Sequence, residues 1–135
     1  MSYTFAATVP GSITELRPRV EAALKEEGFG VLTEIDVAAT LKAKLDLDLP
    51  GYLILGACNP RLASRAIELD PSIGALLPCN VVLRAADGAN TIVEIVDPAA
   101  ALGIADAAEL EPLAADAAER LRRALATVAG PAGAA

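Results

Sequence analysis

The run Gly51–Ala57, with Tyr52, Leu53, Ile54 and Leu55 unbroken by any polar residue, constrains this chain more than any other stretch. Continuous apolar character without alternation fits a central strand. The run leads straight into Cys58-Asn59-Pro60. Asparagine there suits a helix N-cap, and proline suits the first helical position, where its missing N–H is no loss. A helix through Leu62, Ala66 and Leu69 then follows as far as Asp70-Pro71.

Around this centre the pattern alternates between strand and helix. Tyr3 to Val9 has a period of two and ends at Pro10-Gly11, as a half-buried strand does. Ser12 and Glu15 form a capping box for a helix carrying Ile13, Leu16, Val20, Ala23 and Leu24 and stopping at Gly28. Pro18 falls inside it, so either the helix kinks or regular helix begins near Arg17. Gly30 to Asp36 reads as a second strand, with Val31, Thr33 and Ile35 on one side and Leu32, Glu34 and Asp36 on the other. In the short helix Val37 to Leu45, Val37, Leu41 and Leu45 are spaced to form its inner face.

Asp46 and Asp48 follow that helix, but the glycine and distal glutamate of a calcium loop are missing, so they are expected as solvated carboxylates. Downstream, a short apolar segment from Ile73 to Leu77 precedes Pro78. Asn80 to Ala86 is the next strand, and Asp87-Gly88 lies in a turn ahead of its hairpin partner, Thr91 to Val96. After Asp97-Pro98 comes an alanine-rich connection. A last helix begins between Asp106 and Pro112 with the stripe Leu110, Leu113, Ala117, Leu121, Ala124, Leu125 and Val128. These elements predict a single domain over residues 1–129, with five strands, short helices inserted between them and a long last helix whose stripe either its own sheet or a partner can bury. Residues 130–135 are expected to be a flexible tail.

Function is bounded mainly by exclusion. The 135 residues contain no histidine, which removes the commonest general base near neutral pH and the commonest transition-metal ligand. A net charge of −7 argues against nucleic acid as a partner, because phosphate binding needs surplus Lys and Arg. Apolar runs fall well short of the roughly 18 residues a membrane helix needs. Met1 to Pro10 lacks the charged and apolar regions of a signal peptide, so a cytoplasmic location with cysteines as thiols is expected.

The chemistry-bearing residues gather at the two cysteines, Cys58-Asn59 and Cys79-Asn80. If Gly51–Ala57 and Asn80–Ala86 are antiparallel neighbours, both sulfurs lie at one sheet edge, within reach of a disulfide when directly opposed. Cys58, just before a helix N-terminus, is placed for a lowered pKa, whereas Cys79 enters an apolar strand and would be the more buried, resolving thiol. Three uses stay open: packing of two small apolar thiols, a redox pair, or ligation of a soft metal or haem. Two thiolates suit Cu(I), or zinc if doubled across a dimer. The 20 residues between them match no zinc signature. Asn59, Asn80 and Arg61, with Arg65, could instead present donors to an anionic ligand at the helix start.

These same segments resemble the bacterial and archaeal family of the domain of unknown function 302: Gly28-Phe29-Gly30-Val31 with Glu34-Ile35-Asp36, Leu55-Gly56-Ala57-Cys58-Asn59-Pro60, Leu76-Leu77-Pro78-Cys79-Asn80-Val81-Val82, and Val96-Asp97-Pro98. The resemblance covers roughly residues 5 to 100. It implies an α+β domain, a mostly antiparallel sheet of about five strands with a long helix packed across it, similar to the β-α-β4-α arrangement of TATA-binding-protein-like folds, and a homodimer; it carries no catalytic residue. The expected function is a dimeric ligand-binding or interaction module with a pocket near Cys58, Asn59, Cys79 and Asn80. Thiol redox activity, or soft-metal or haem-thiolate binding, is the alternative.

Overall fold

The computed structural model describes residues 2–134, of which 131–134 are described by backbone alone. Five strands, β1 (Thr4–Pro10), β2 (Gly30–Asp36), β3 (Tyr52–Cys58), β4 (Cys79–Ala85) and β5 (Asn90–Val96), form one sheet in the order β1-β5-β4-β3-β2. Every neighbouring pair is antiparallel. The apolar run thus makes β3, an inner strand, as its unbroken character predicts. The helices are α1 (Ile13–Glu26), α2 (Val37–Leu45), α3 (Pro60–Leu69), α4 (Pro98–Leu102) and α5 (Glu111–Ala134).

Helices α1 and α5 lie together against one face of the sheet. Inward residues of the strands, Val9, Leu55, Val81, Leu83, Val93 and Ile95, meet Leu16, Val20 and Leu24 of α1 and Leu121, Ala124 and Val128 of α5 in the main core. The long helix therefore packs on its own sheet. Polar contacts pin it there: Arg122 stacks over the Phe5 ring at 4.5 Å, Arg19 donates to the Val128 carbonyl at 2.6 Å, and Arg123 pairs with Glu27 at 3.0 Å. A second, smaller core of Ala66, Ile73, Leu102, Leu110 and Ala114 forms where α3, α4 and the start of α5 converge.

Several local expectations change in three dimensions. The capping box closes, with the Glu15 N–H donating to Ser12 Oγ at 3.1 Å, and α1 starts at Ile13, so Pro18 lies inside the helix. In β2 a bulge between Val31 and Thr33 breaks the alternation. Val31, Glu34 and Asp36 oppose the inward Ala57, Leu55 and Leu53, while Thr33 and Ile35 oppose the outward Gly56 and Ile54. The expected two sides of that strand are therefore wrong beyond the bulge.

In α2 the expected inner face is not buried either: none of its residues is, and Leu45 is 68% exposed. It joins the edge strand β2 to β3 and touches β3, with Val37 and Leu41 half-buried, but it adds no residue to either core. Lys42 on this helix pairs with both Asp46 (2.8 Å) and Asp48 (3.0 Å), which gives those carboxylates a cation from the chain itself.

The segment Ile73 to Leu77 is mostly a 3-10 helix, Pro71–Leu76, and it leads to a cis Leu77-Pro78 bond. The alanine-rich connection contains α4, capped by Asp97, whose side chain accepts from the Ala99 N–H at 3.0 Å. Asp97-Pro98 repeats the Asn59-Pro60 arrangement, cap then proline, and that repetition was the available signal for the helix. Of the tail expected at 130–135, Gly130 leaves helical geometry at φ +71°, and Ala135 lies outside the described residues.

Candidate functional site

Both cysteines sit where strands end. Cys58 is the last residue of β3 and Cys79 the first of β4. Antiparallel pairing does bring them to one edge, but the register is Ala57 opposite Cys79. The cysteines are offset by one residue, diagonal rather than directly opposed as expected, and both are free thiols. A one-residue offset starts the two side chains on opposite sides of the pleat. The strands finish at this point, however, and both residues still border a single cavity.

That cavity, of about 40 Å³, lies at the joint between the two cores. Phe29, Ala57 and Ala117 reach it from the main core, while Ala66, Leu102 and Leu113 reach it from the smaller one. Sequence reading missed all of these as site residues, because they come from five separate parts of the chain. Apart from the thiols, Asn59 is the one polar side chain on its wall. Asn59 is 8% exposed and caps α3 by accepting from the Leu62 N–H at 3.2 Å. Gly28 supports it from behind. This glycine has φ +84°, and a Cβ there would lie 3.0 Å from Asn59 Nδ2, so conformation and space both require glycine.

Burial raises both thiols above their ordinary pKa. Cys79 is pushed up to about 11 by burial, with the nearby Cys58 sulfur adding to the rise. Burial raises Cys58 too, the reverse of the lowering expected from the positive end of α3. Desolvation of the charged form wins over the helix dipole, because the sulfur sits among apolar side chains and no cationic side chain lines the cavity.

The neutral Cys79 thiol favours the folded state below about pH 9, and that contribution is lost as pH rises through about 11. At pH 8, Cys79 is therefore expected to react with iodoacetamide about 100-fold more slowly than a solvent-exposed thiol that titrates near 9.0. Rates measured from pH 7 to 11 check this, and a plateau by pH 9 would contradict it.

The remaining candidates stand elsewhere. Arg61 borders a wider recess of about 520 Å³ with Gly28, Asn59, Asp116 and Arg120. Arg120 there is already engaged by Asp116 at 2.8 Å, so a carboxylate faces any incoming anion. Arg65 pairs with Glu68 at 3.1 Å. Asn80 points to the opposite side of the sheet and lines a hollow of about 240 Å³ with Tyr3, Tyr52 and Glu94. In that hollow the Thr4 hydroxyl donates to Glu94 at 2.7 Å and, with Arg84, holds its carboxyl below the usual range. The two asparagines thus serve different surfaces. Only Cys58, Asn59 and Cys79 converge.

Size decides what the cavity can hold. At about 40 Å³ it is several-fold below the roughly 300–1,000 Å³ of pockets for drug-sized ligands and cofactors. A haem does not fit it; an ion or a group of a few atoms does. Among the described residues no three His, Cys, Asp or Glu side chains gather as a metal site, and no helix is long and apolar enough to cross a membrane.

No protein of curated function matches this chain. Its structure is similar to the crystal structure of an uncharacterized conserved DUF302 protein from Bacillus stearothermophilus, with 31% sequence identity and a TM-score of 0.88 over 95% of this chain and 99% of that one. The family model for the domain of unknown function DUF302 matches residues 5–128, all of the sheet but the first residue of β1, with α1 to α4 and most of α5. The chain therefore belongs to the DUF302 family.

Proposed function

We propose that this domain is a homodimeric binding module without catalysis of its own, and that its site is the cavity bordered by Cys58, Asn59 and Cys79. The observation that carries this reading is the wall of that cavity. It offers two thiols, both raised in pKa, and one amide among apolar side chains, with no carboxylate, ammonium or guanidinium to move a proton. Such a wall suits holding a small guest more than transforming one.

Dissolved xenon is a probe of matching size and apolarity. Amide shifts on xenon addition should concentrate at Cys58, Ala66 and Ala117, and should vanish in Ala66→Leu, which fills the space. Absence of any shift in the wild type would sink the reading.

The homodimer is supported by the sheet face turned away from α1 and α5. A face meant for water alternates to polar residues. Here the outward positions include Ile35, Tyr52, Ile54, Val82, Ile92 and Val96, with Arg84 and Glu94 paired at 3.1 Å among them. Light scattering should return twice the chain mass of 13.7 kDa at micromolar concentration, falling to one chain in Ile35→Lys/Ile54→Lys. A monomeric wild type would rule the dimer out.

A second reading, thiol redox exchange, draws on the two sulfurs bordering one cavity. It requires a mass two hydrogens light in protein purified without reductant, restored by reduction.

A further inference from the structure

We propose that Cys58 and Cys79 form a two-coordinate site for a soft monovalent cation, Cu(I), inside this cavity. The inference rests on the binding reading above and names the class of its ligand. Both cysteines line the same small space, at adjacent strand ends, and the Cys58 sulfur is near enough to act on Cys79. Thiolates select soft metals, among them Cu(I) and zinc. Zinc asks for four ligands, and here there are two. The other side chains on the wall are hydrocarbon apart from the Asn59 amide, and among the described residues no cluster of three ligating side chains exists. A cation content with two sulfurs in line is the one these residues can complete within a single chain.

The charge balance is consistent with the surroundings. Two neutral thiols and one Cu(I) give a bis-thiolate complex of charge −1 and two protons released to solvent, with no change of oxidation state. The complex places one negative charge where two neutral thiols stood, beside the N-terminal end of the ten-residue α3, whose dipole stabilises negative charge. Metal binding in this setting is coupled to proton release, so affinity should climb with pH.

The test is anaerobic titration of the fully reduced chain with tetrakis(acetonitrile)copper(I), competed by bathocuproine disulfonate. One Cu(I) per chain is expected, with a sulfur-to-copper charge-transfer band in the ultraviolet and about two protons released per ion. Cys58→Ser and Cys79→Ser should each weaken binding by roughly 100-fold or more. Cys58 is the less buried of the two thiols, so its variant is the one expected to keep the fold, and it alone suffices because two-coordinate binding needs both sulfurs.

Retention of copper by Cys58→Ser, absence of copper binding by the wild type, or equal competition by Zn(II) would each overturn the assignment. If xenon enters the cavity while copper does not bind, the metal assignment fails and the binding module stands. If xenon fails to enter as well, both fall.

Discussion

Replacing Leu121 by alanine should lower the unfolding free energy by about 3 to 4 kcal/mol, the upper part of the range for truncating a buried leucine. Leu121 is fully buried in the middle of α5, where the helix crosses the sheet beside α1. Its loss leaves a cavity bounded by strands that cannot close, since antiparallel pairing fixes their separation. Against a total stability of roughly 5–15 kcal/mol the effect is large. Urea titration should show a lower midpoint with an unchanged slope. A loss below about 1 kcal/mol would mean that α5 is not docked on its own sheet.

Gly56→Val should be almost as damaging and, unlike the first change, should also reach the site. A Cβ at Gly56 would collide with Thr33 Oγ1 on β2 and would lie 2.8 Å from Pro78 Cγ, so neighbours on both sides occupy the space a side chain needs. Overpacking of this kind costs about 1–3 kcal/mol, and a valine in the middle of the sheet belongs at the upper end. Pro78 immediately precedes Cys79, and displacing it should expose that thiol. The measurable signature is a lower urea midpoint together with faster Cys79 alkylation at pH 8. Destabilisation without any change in alkylation would show that Pro78 does not hold Cys79 in place.

Where the two thiols meet was only half legible beforehand. The alternation of strands and the Asn59-Pro60 cap predict that β3 and β4 end and begin at one edge. The register, however, sets Ala57 and not Cys58 opposite Cys79. A slip of one residue changes no local propensity, so it leaves no trace in the pattern. Asn80 and Arg61 show the same limit. Their neighbours in sequence are the cysteines, but a strand alternates its side chains and a helix rotates them, so proximity along the chain did not become proximity in the cavity.

What the chain's own letters determined is the set of elements and their ends, because caps, prolines and short periodicities act over three or four residues. The bounds of β2, α2 and α3 follow directly from Gly30–Asp36, Val37–Leu45 and Asn59-Pro60 to Leu69. Tertiary structure alone decided which apolar faces are covered. Leu121 is buried because a sheet lies beneath it, while Leu45, with equally good helical spacing, is 68% exposed and belongs to neither core. The cavity between the two cores is likewise a property of the assembled chain. Its walls come from β3, β4, α3, α4 and α5, and burial at that meeting point, a non-local quantity, raises the thiols that a helix end by itself would have made acidic.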